Sequence, residues 1–221
     1  MAVSLNGRPS PLEVLDTSRL EVVGQATVGV RPFQLLIERQ SGTVYSIDHD
    51  SFSLTLVEPG TLGTRTLPLE PLGRGAYDKP HYADFDSEGR LLMAYAGRLF
   101  VALDPRTGAA TRLPLTADSH QHGVALRPET SELFILGTGA AGSAAGGPSL
   151  TRLDIATGAE RVIPLARPHE RIAFNSEGTT AYLSGGYPLS GGWDGLTIFD
   201  LASESTAEVA VPDRPMDLVR L

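Results

Sequence analysis

The stretch SLTLVEPGTLGTRTLPL, residues 53–69, reads as a short strand, an acidic residue, a turn with glycine and a second strand ending in Pro-Leu. The same form returns in RLFVALDPRTGAATRLPL, residues 98–115, and in SLTRLDIATGAERVIPL, residues 149–165. Looser copies are LTIFDLASESTAEVAVP, residues 196–212, and LEVLDTSRLEVVGQATV, residues 12–28. A hairpin that recurs along the whole chain predicts a fold built from repeated β units.

A second hairpin unit alternates with the first. Its copies are KPHYADFDSEGRLLMAYA (79–96), HQHGVALRPETSELFILG (120–137), RPHERIAFNSEGTTAYLSG (167–185) and, more loosely, RPFQLLIERQSGTVYSID (31–48). Two hairpins make four strands, and equivalent anchor residues lie 41 to 48 residues apart; these anchors are Phe33, His81, His122, His169 and Met216. Four strands per repeat at this period indicate a β-propeller.

The two ends of the chain complement each other. RPMDLVRL, residues 214–221, provides one inner strand, and the N-terminal residues provide three more. We therefore predict an all-β, single-domain, five-bladed β-propeller over residues 1–221, in which one C-terminal strand pairs with three N-terminal strands to close the ring and remove its open edge. The predicted blades are residues 30–70, 71–115, 116–165 and 166–212, each approximately, and the closing blade combines 1–29 with 213–221.

The repeats resemble the YVTN-type, lactonase-like β-propeller repeat. The matching segments are QHGVALRPETSE (121–132), RPHERIAFNSEG (167–178) and TRLDIATGAERVIPL (151–165). The resemblance extends over nearly the whole chain and implies the propeller fold. Members of that group tend to have seven blades and are often exported, whereas this chain has room for five.

Composition excludes several classes of function. The net charge is −8 and no lysines or arginines cluster, so we expect neither a nucleic-acid partner nor an anionic membrane partner. There is no cysteine, which excludes disulfides, thiolate metal sites and a cysteine nucleophile. No apolar segment approaches the length of a membrane span, and the start has no signal-peptide pattern. We expect a cytoplasmic monomer or homodimer that binds a small organic ligand.

Histidine placement is the main functional signal. In a propeller, the inner strands begin at the upper end of the central channel, and the loops between second and third strands lie at that end too. This geometry puts all five histidines there, namely His49, His81, His120, His122 and His169. His81, His122 and His169 occupy similar repeat positions, and converging imidazoles suit one divalent metal ion such as zinc, iron, copper or manganese. Asp48, Asp50 or Glu170 would complete the shell or orient the rings.

Two other interpretations of the histidines stay open. The YVTN-type repeat itself often carries histidine after its proline, where the ring can hydrogen-bond a neighbouring blade without any metal. His122 or His81 can also act alone as an acid or base. For catalysis, the candidate residues are His122, His81, Glu170 and Asp48.

Two glycine-rich loops, residues 137–147 and 185–195, are predicted at the same end. They suggest a substrate pocket whose candidate residues are Trp193, Tyr187, Asp194, His120 and His49, because an exposed ring between glycines can stack on a ligand. The alternative is that Trp193 folds back onto its blade. GTGAAG, residues 137–142, matches a dinucleotide motif but lacks the helix that the motif requires, so we expect no nucleotide cofactor.

Two functions fit these observations. In the first, the protein is a small-molecule enzyme of the lyase, hydrolase or cyclase type, with its histidine-rich site at the upper end of the channel. In the second, the propeller is a binding platform without chemistry. Fold alone does not decide between them.

The aspartates that end each third strand, Asp16, Asp104, Asp154 and Asp200, are predicted to stabilise turns.

Overall fold

The computed structural model describes residues 7–69, 80–95, 98–117, 123–137, 147–186 and 192–218. Within these ranges the regular secondary structure consists of β-strands, with no helix, so the all-β prediction is confirmed. The described residues accordingly contain no helix of the length and hydropathy needed to cross a membrane.

Four sheets each contain four antiparallel strands that pair in chain order, and we call them blades 1 to 4. They follow an N-terminal hairpin of β1 (Pro9–Asp16) and β2 (Glu21–Val30). Blade 1 contains β3 (Pro32–Ile37), β4 (Val44–Asp48), β5 (Ser53–Val57) and β6 (Thr64–Pro68). Blade 2 contains β7 (Ala83–Phe85), β8 (Leu91–Tyr95), β9 (Leu99–Leu103) and β10 (Ala110–Pro114). Blade 3 contains β11 (Val124–Leu126), β12 (Glu132–Gly137), β13 (Ser149–Asp154) and β14 (Glu160–Pro164). Blade 4 contains β15 (Ile172–Phe174), β16 (Thr180–Ser184), β17 (Gly195–Asp200) and β18 (Thr206–Ala210).

The blades pack face to face, and this explains why the middle strands are apolar on both sides. In β8, Leu91 and Met93 join the core shared with blade 1, while Leu92 and Ala94 join the core shared with blade 3. A further core lies between blades 3 and 4 and includes Phe134 and Phe199. Stacked four-stranded antiparallel sheets of this kind are the arrangement of propeller blades.

The predicted aspartate turns are confirmed. Asp200 Oδ1, for example, accepts the backbone N–H groups of Ala202 and Ser203 at 3.2 and 2.8 Å. Asp16, Asp104 and Asp154 accept equivalent hydrogen bonds in their own turns. Side-chain hydrogen bonds from Ser18, Arg106 and Ser203, followed by these backbone ones, hold the pKa of Asp16, Asp104 and Asp200 below its usual value. For Asp154 the backbone hydrogen bond has the largest effect on the pKa, in the same direction.

Polar contacts link neighbouring inner strands. The Gln34 amide Nε2 donates to the Ala83 carbonyl at 3.2 Å, and the Ala83 N–H donates to Gln34 Oε1 at 2.7 Å. One blade further on, the Leu126 N–H donates to Asp84 Oδ2 at 2.8 Å. Because the inner edge of each blade has no further strand to pair with in the same sheet, these side chains satisfy backbone groups that would otherwise lack partners.

The two ends of the chain contact different blades. Leu12, Ala26 and Val28 of the N-terminal hairpin pack against Val57 of blade 1. The C-terminal segment, residues 213–218, lies against blade 4, where the Gly186 N–H donates to the Pro215 carbonyl at 3.1 Å. Its predicted pairing with residues 1–6 falls outside the described residues, so closure of the ring as a fifth blade stays a prediction.

Replacing Gln34 by alanine should lower the free energy of unfolding by about 1–3 kcal/mol, because the Ala83 backbone then loses both of its partners on Gln34. The matched control is Gln25→Ala in the exposed part of β2, with an expected change within about 0.5 kcal/mol. Urea unfolding followed by circular dichroism measures both. Equal effects of the two substitutions would argue against the role given to Gln34.

Candidate functional site

The upper end of the inner strands brings together side chains from blades 1 and 2. The Phe33 and His81 rings stack with centroids 3.9 Å apart and planes within 9°. His49, from the turn between β4 and β5, lies 4.5 Å from His81 between ring centroids. Its Nδ1 atom is 2.5 Å from Asp50 Oδ1, so this carboxylate fixes the orientation of the His49 ring. Two of the predicted site histidines are therefore in contact.

A second group of residues joins blade 2 to blade 4. The Tyr82 hydroxyl donates to Glu170 Oε1 at 2.7 Å, over the inner strand of blade 3. The Arg171 guanidinium carbon lies 4.4 Å from the centroid of the Tyr82 ring, and Arg171 Nε donates to Asp217 Oδ1 at 2.8 Å. Tyr82 also meets His81 edge to face at 6.2 Å. One continuous set of contacts thus runs from His49 to Glu170.

The Tyr82 phenol is suited to donate a hydrogen bond and not to ionise. Burial raises the pKa of Tyr82 well above its usual value, and the neighbouring Glu170 carboxylate raises it further. Tyr82 therefore stays protonated throughout the physiological range. A buried carboxylate and a phenol, from separate blades, are the kind of pair found where proteins bind or transform ligands.

The backbone of Glu170 is fixed on several sides. Its N–H donates to the Ser184 carbonyl at 3.0 Å, and its carbonyl accepts the Gly123 N–H at 2.8 Å. Two glycines make room for it: a Cβ atom on Gly123 would lie 2.8 Å from the Glu170 carbonyl oxygen, and one on Gly186 would lie 2.5 Å from Glu170 Cβ. The Glu170 backbone is consequently held between blades 3 and 4, which fixes the point from which its side chain starts.

The number of residues that separate each side chain from the inner strand after it shows which residues occupy the same repeat position. His81 stands two residues before the first residue of β7, and Glu170 stands two residues before the first residue of β15. Glu170 and not His169 therefore occupies the repeat position of His81. His169 is one residue earlier, which turns its side chain into the blade.

His169 is 4% exposed and belongs to the interior of blade 4. Its Nε2 atom is 2.8 Å from Thr197 Oγ1, and its ring meets Trp193 edge to face at 5.9 Å. Nδ1 has no partner with hydrogen-bond geometry among the described residues. Burial lowers the pKa of His169 to about 4, and the nearby Arg167 backbone offsets this only in part.

Trp193 lies against blade 4, as the alternative interpretation expected. Its Nε1 donates to the Pro168 carbonyl at 3.3 Å, and the Arg167 guanidinium carbon is 4.8 Å from its ring centroid. Asp194 is exposed and sits 3.7 Å from Arg214 between Oδ1 and Nε. His120, His122 and Tyr187, which complete the predicted catalytic and substrate sets, lie outside the described residues.

Asp48 is fully buried and faces the N-terminal hairpin. The hydroxyls of Ser46 and Thr55 donate to its two carboxylate oxygens at 2.6 and 2.5 Å, and Ser53 adds a longer contact at 3.3 Å. Burial raises the pKa of Asp48, and these hydrogen bonds partly offset the rise. A Cβ atom on Gly29 would lie 2.6 Å from Asp48 Cβ, so the structure places Asp48 at the junction of hairpin and blade 1.

The predicted metal ligands are not grouped in the part of the chain that the structure describes. That part contains no group of three histidine, aspartate, glutamate or cysteine side chains able to hold a metal ion. His81 contacts His49 and Phe33, whereas His169 contacts Thr197. His169 lies in the blade interior and His122 lies outside the described residues, so the three-histidine centre stays a prediction.

A cavity of about 1660 Å³ lies at the opposite, lower end of the blades. Its walls are the turns between first and second strands, and residues of the inner strands form part of its floor; they include Ile37, Arg39, Phe85, Asp86 and Arg127. None of the described histidines lines it. Neither Glu170 nor Tyr82 lines it, so the cavity is separate from the cluster around Glu170.

Comparison with known proteins supports the fold. No protein-family model matches the chain, and no curated protein does. Among solved structures, hydrazine synthase of Kuenenia stuttgartiensis aligns at TM-score 0.69 and 16% identity, over 94% of this chain and 61% of that one. A catalytically inactive histidine-to-alanine variant of virginiamycin B lyase from Staphylococcus aureus, with quinupristin, aligns at 0.63 and 13%, over 93% and 61%. The WD40 repeats of RRP9 align at 0.62 and 12%, over 81% and 51%.

These similarities define the class of the protein. Its fold is that of a β-propeller, and the propellers that it resembles include enzymes as well as a WD40 repeat protein. The chain covers less than two thirds of the length of each of them. At identities of 12–16% the likeness concerns the fold alone.

Sequence reasoning missed Tyr82, Arg171 and Asp217. The signal that could have found Tyr82 is its position: the equivalent residue is Gly123 in blade 3 and Arg171 in blade 4, so a large phenol there is not required by the repeat. Nothing in the sequence indicates that Arg171 reaches Tyr82, because that contact depends on the spatial relation of two blades that are not neighbours.

Stability should decrease as the pH falls from about 6.5 to about 4, because the unfolded chain then binds a proton at His169 that the folded protein excludes. The pKa of His169 falls from its usual value of 6.5 to about 4 in the folded protein, and this difference corresponds to about 3 kcal/mol. His169→Gln cannot take up this proton and should show a shallower dependence on pH in urea unfolding. The same slope in both proteins would contradict the buried, neutral state of His169.

Gly186→Ala should destabilise the protein by about 3 kcal/mol or more, because the new methyl group would clash with Glu170 at a position with φ of +72°. Gly60→Ala is the matched control, since Gly60 has φ of +81° with open space around it, and the expected cost there is about 1 kcal/mol. Thermal and urea unfolding of both variants measure the difference. Similar costs would mean that Gly186 does not pack against Glu170.

Proposed function

We propose that the protein is an enzyme that transfers protons on a small organic molecule, in a reaction of the lyase, hydrolase or cyclase type. The proposal rests on one observation: His49 from blade 1, His81 and Tyr82 from blade 2 and Glu170 from blade 4 form one connected set of contacts at the upper end. A fold needs no such convergence of polar groups from three blades, and the desolvated carboxylate of Glu170 costs stability.

Glu170 is the proposed base. Its carboxylate is held by Tyr82 on one side and by the fixed backbone beneath it, so it meets a ligand without reorganising. It would remove a proton from an acidic C–H bond or from an attacking water. Tyr82, which stays protonated, would keep the carboxylate in position through the reaction.

His81 and His49 are the proposed acids. Asp50 orients the His49 ring through its Nδ1 atom. A proton delivered from either imidazole would neutralise the leaving group or the developing oxyanion. His122 occupies the same repeat position in the sequence as His81 and Glu170, two residues before β11, and we propose that it acts with them.

We also propose that the ring closes as a fifth blade, formed by the C-terminal segment, residues 1–6 and the N-terminal hairpin. The hairpin packs on blade 1 and the C-terminal segment on blade 4, which are the two sides that a fifth blade would contact. A closed ring would fix the distance between Glu170 and the residues of blade 1.

A binding platform without chemistry is the second candidate. The similarity to the WD40 repeats of RRP9 favours it, because that chain aligns almost as well as the enzymes do. On this alternative, the imidazoles and Glu170 would only contact a partner, and their substitution would weaken binding without any loss of turnover.

Solvent-deuterium exchange tests the enzyme directly and does not require the complete reaction. The protein is incubated in D2O with a panel of small esters, lactones and carboxylic acids that carry a C–H bond next to a carbonyl, and mass spectrometry follows deuterium uptake and product formation. We expect exchange or turnover of at least one compound, and a loss of about 100-fold or more in Glu170→Gln.

Glu21→Gln is the matched control, since Glu21 is an exposed carboxylate of β2 and the same charge is removed. Its activity should equal that of the parent protein. Turnover that Glu170→Gln leaves unchanged, or a panel on which the parent protein has no activity at all, would contradict the proposed reaction and favour the platform.

A further inference from the structure

The C-terminal segment reaches both sides of Glu170. Asp217 accepts a hydrogen bond from Arg171, the residue that follows Glu170 in the chain, at 2.8 Å. Two residues earlier, the Pro215 carbonyl accepts the N–H of Gly186, which packs against the Glu170 backbone. These two attachments to blade 4 thus involve residues in contact with Glu170 or adjacent to it, while a third, the ion pair of Arg214 with Asp194, lies apart from Glu170.

Arg171 links Asp217 to Tyr82. Its backbone N–H donates to Ser184 Oγ at 3.0 Å, which fixes the start of the side chain. Its guanidinium then lies between the Asp217 carboxylate and the face of the Tyr82 ring. The Arg171 side chain is only 19% exposed while that of Asp217 is 62% exposed, so the exposed carboxylate holds an arginine whose cationic group covers a buried ring.

We propose that the C-terminal segment positions the Tyr82–Glu170 pair, with Asp217 as the positioning residue acting through Arg171. Without the Asp217 carboxylate, the guanidinium loses the hydrogen-bonded anion that holds it on the Tyr82 ring and turns toward solvent. Tyr82 then loses its cover on one face, and the hydroxyl that fixes Glu170 becomes free to move. Docking of the segment and assembly of the site are therefore one event.

The inference does not depend on the enzymatic proposal, because a binding platform would be organised by the same contacts. In both cases the C-terminal segment would position the Tyr82–Glu170 pair in addition to stabilising the fold. Met216, between the two attachments, is half exposed, so its side chain contributes little to holding the segment in comparison with the polar contacts. Loss of one polar contact should therefore have a measurable effect on the site.

Fluorine NMR of protein labelled with 3-fluorotyrosine provides the test. The chain has six tyrosines, and Tyr82→Phe identifies the Tyr82 resonance by its disappearance. In Asp217→Asn, this resonance should shift by more than its linewidth, because the cationic group leaves the ring. Asp217→Glu, which keeps the carboxylate, should restore most of the parent shift.

Asp213→Asn is the matched control, since Asp213 is an exposed aspartate of the same segment. It should leave the Tyr82 resonance in place, and circular dichroism should show that all variants are folded. The proposal is overturned if Tyr82 does not respond to Asp217→Asn and Asp217→Ala, if Asp213→Asn moves it equally, or if Asp217→Glu fails to restore it.

Discussion

The hydrogen bond between the Tyr82 hydroxyl and the Glu170 carboxylate joins two blades that are separated by a third. Because it joins side chains more than eighty residues apart in the chain, it forms only when the intervening blade has the correct width and orientation. The hydrogen bonds from the Leu126 N–H to Asp84 and from the Gly123 N–H to the Glu170 carbonyl set that spacing one blade at a time. The upper end of the fold is thus organised by contacts between blades, and the site is a consequence of how the blades are stacked.

Two further buried polar groups show how the cost of removing a polar side chain from water is offset. The carboxylate of Asp48 is surrounded by hydroxyl donors, and the imidazole of His169 stays neutral beside Thr197. Both residues have their polar atoms directed at the interior of the protein. Glu170 differs, because the Tyr82 hydroxyl that donates to it comes from a distant blade and its backbone is packed between glycines. This difference is the physical reason for assigning the chemistry to Glu170 and structural roles to Asp48 and His169.

The repeat in the sequence predicted the strands well, because apolar alternation and turn residues are local properties. The hairpin of residues 149–165 became β13 and β14, and the aspartate turns formed as expected. The site was harder to predict. His49 and His81 do meet, but one extra residue before β15 puts Glu170 where a third histidine was expected, and a change of one residue reverses the direction of a side chain. The roles of Tyr82 and Arg171 depend on the distance between blades 2 and 4, which no local pattern encodes.

A double-mutant cycle on Tyr82 and Glu170 tests this account most directly. The free energy of unfolding is measured by urea denaturation for the parent protein, Tyr82→Phe, Glu170→Ala and the double variant. A hydrogen bond to a charged group predicts a coupling energy of about 1.5–3 kcal/mol between the two substitutions. Effects that add to within about 0.5 kcal/mol would show that the two side chains do not interact, and would contradict the organisation of the site described above.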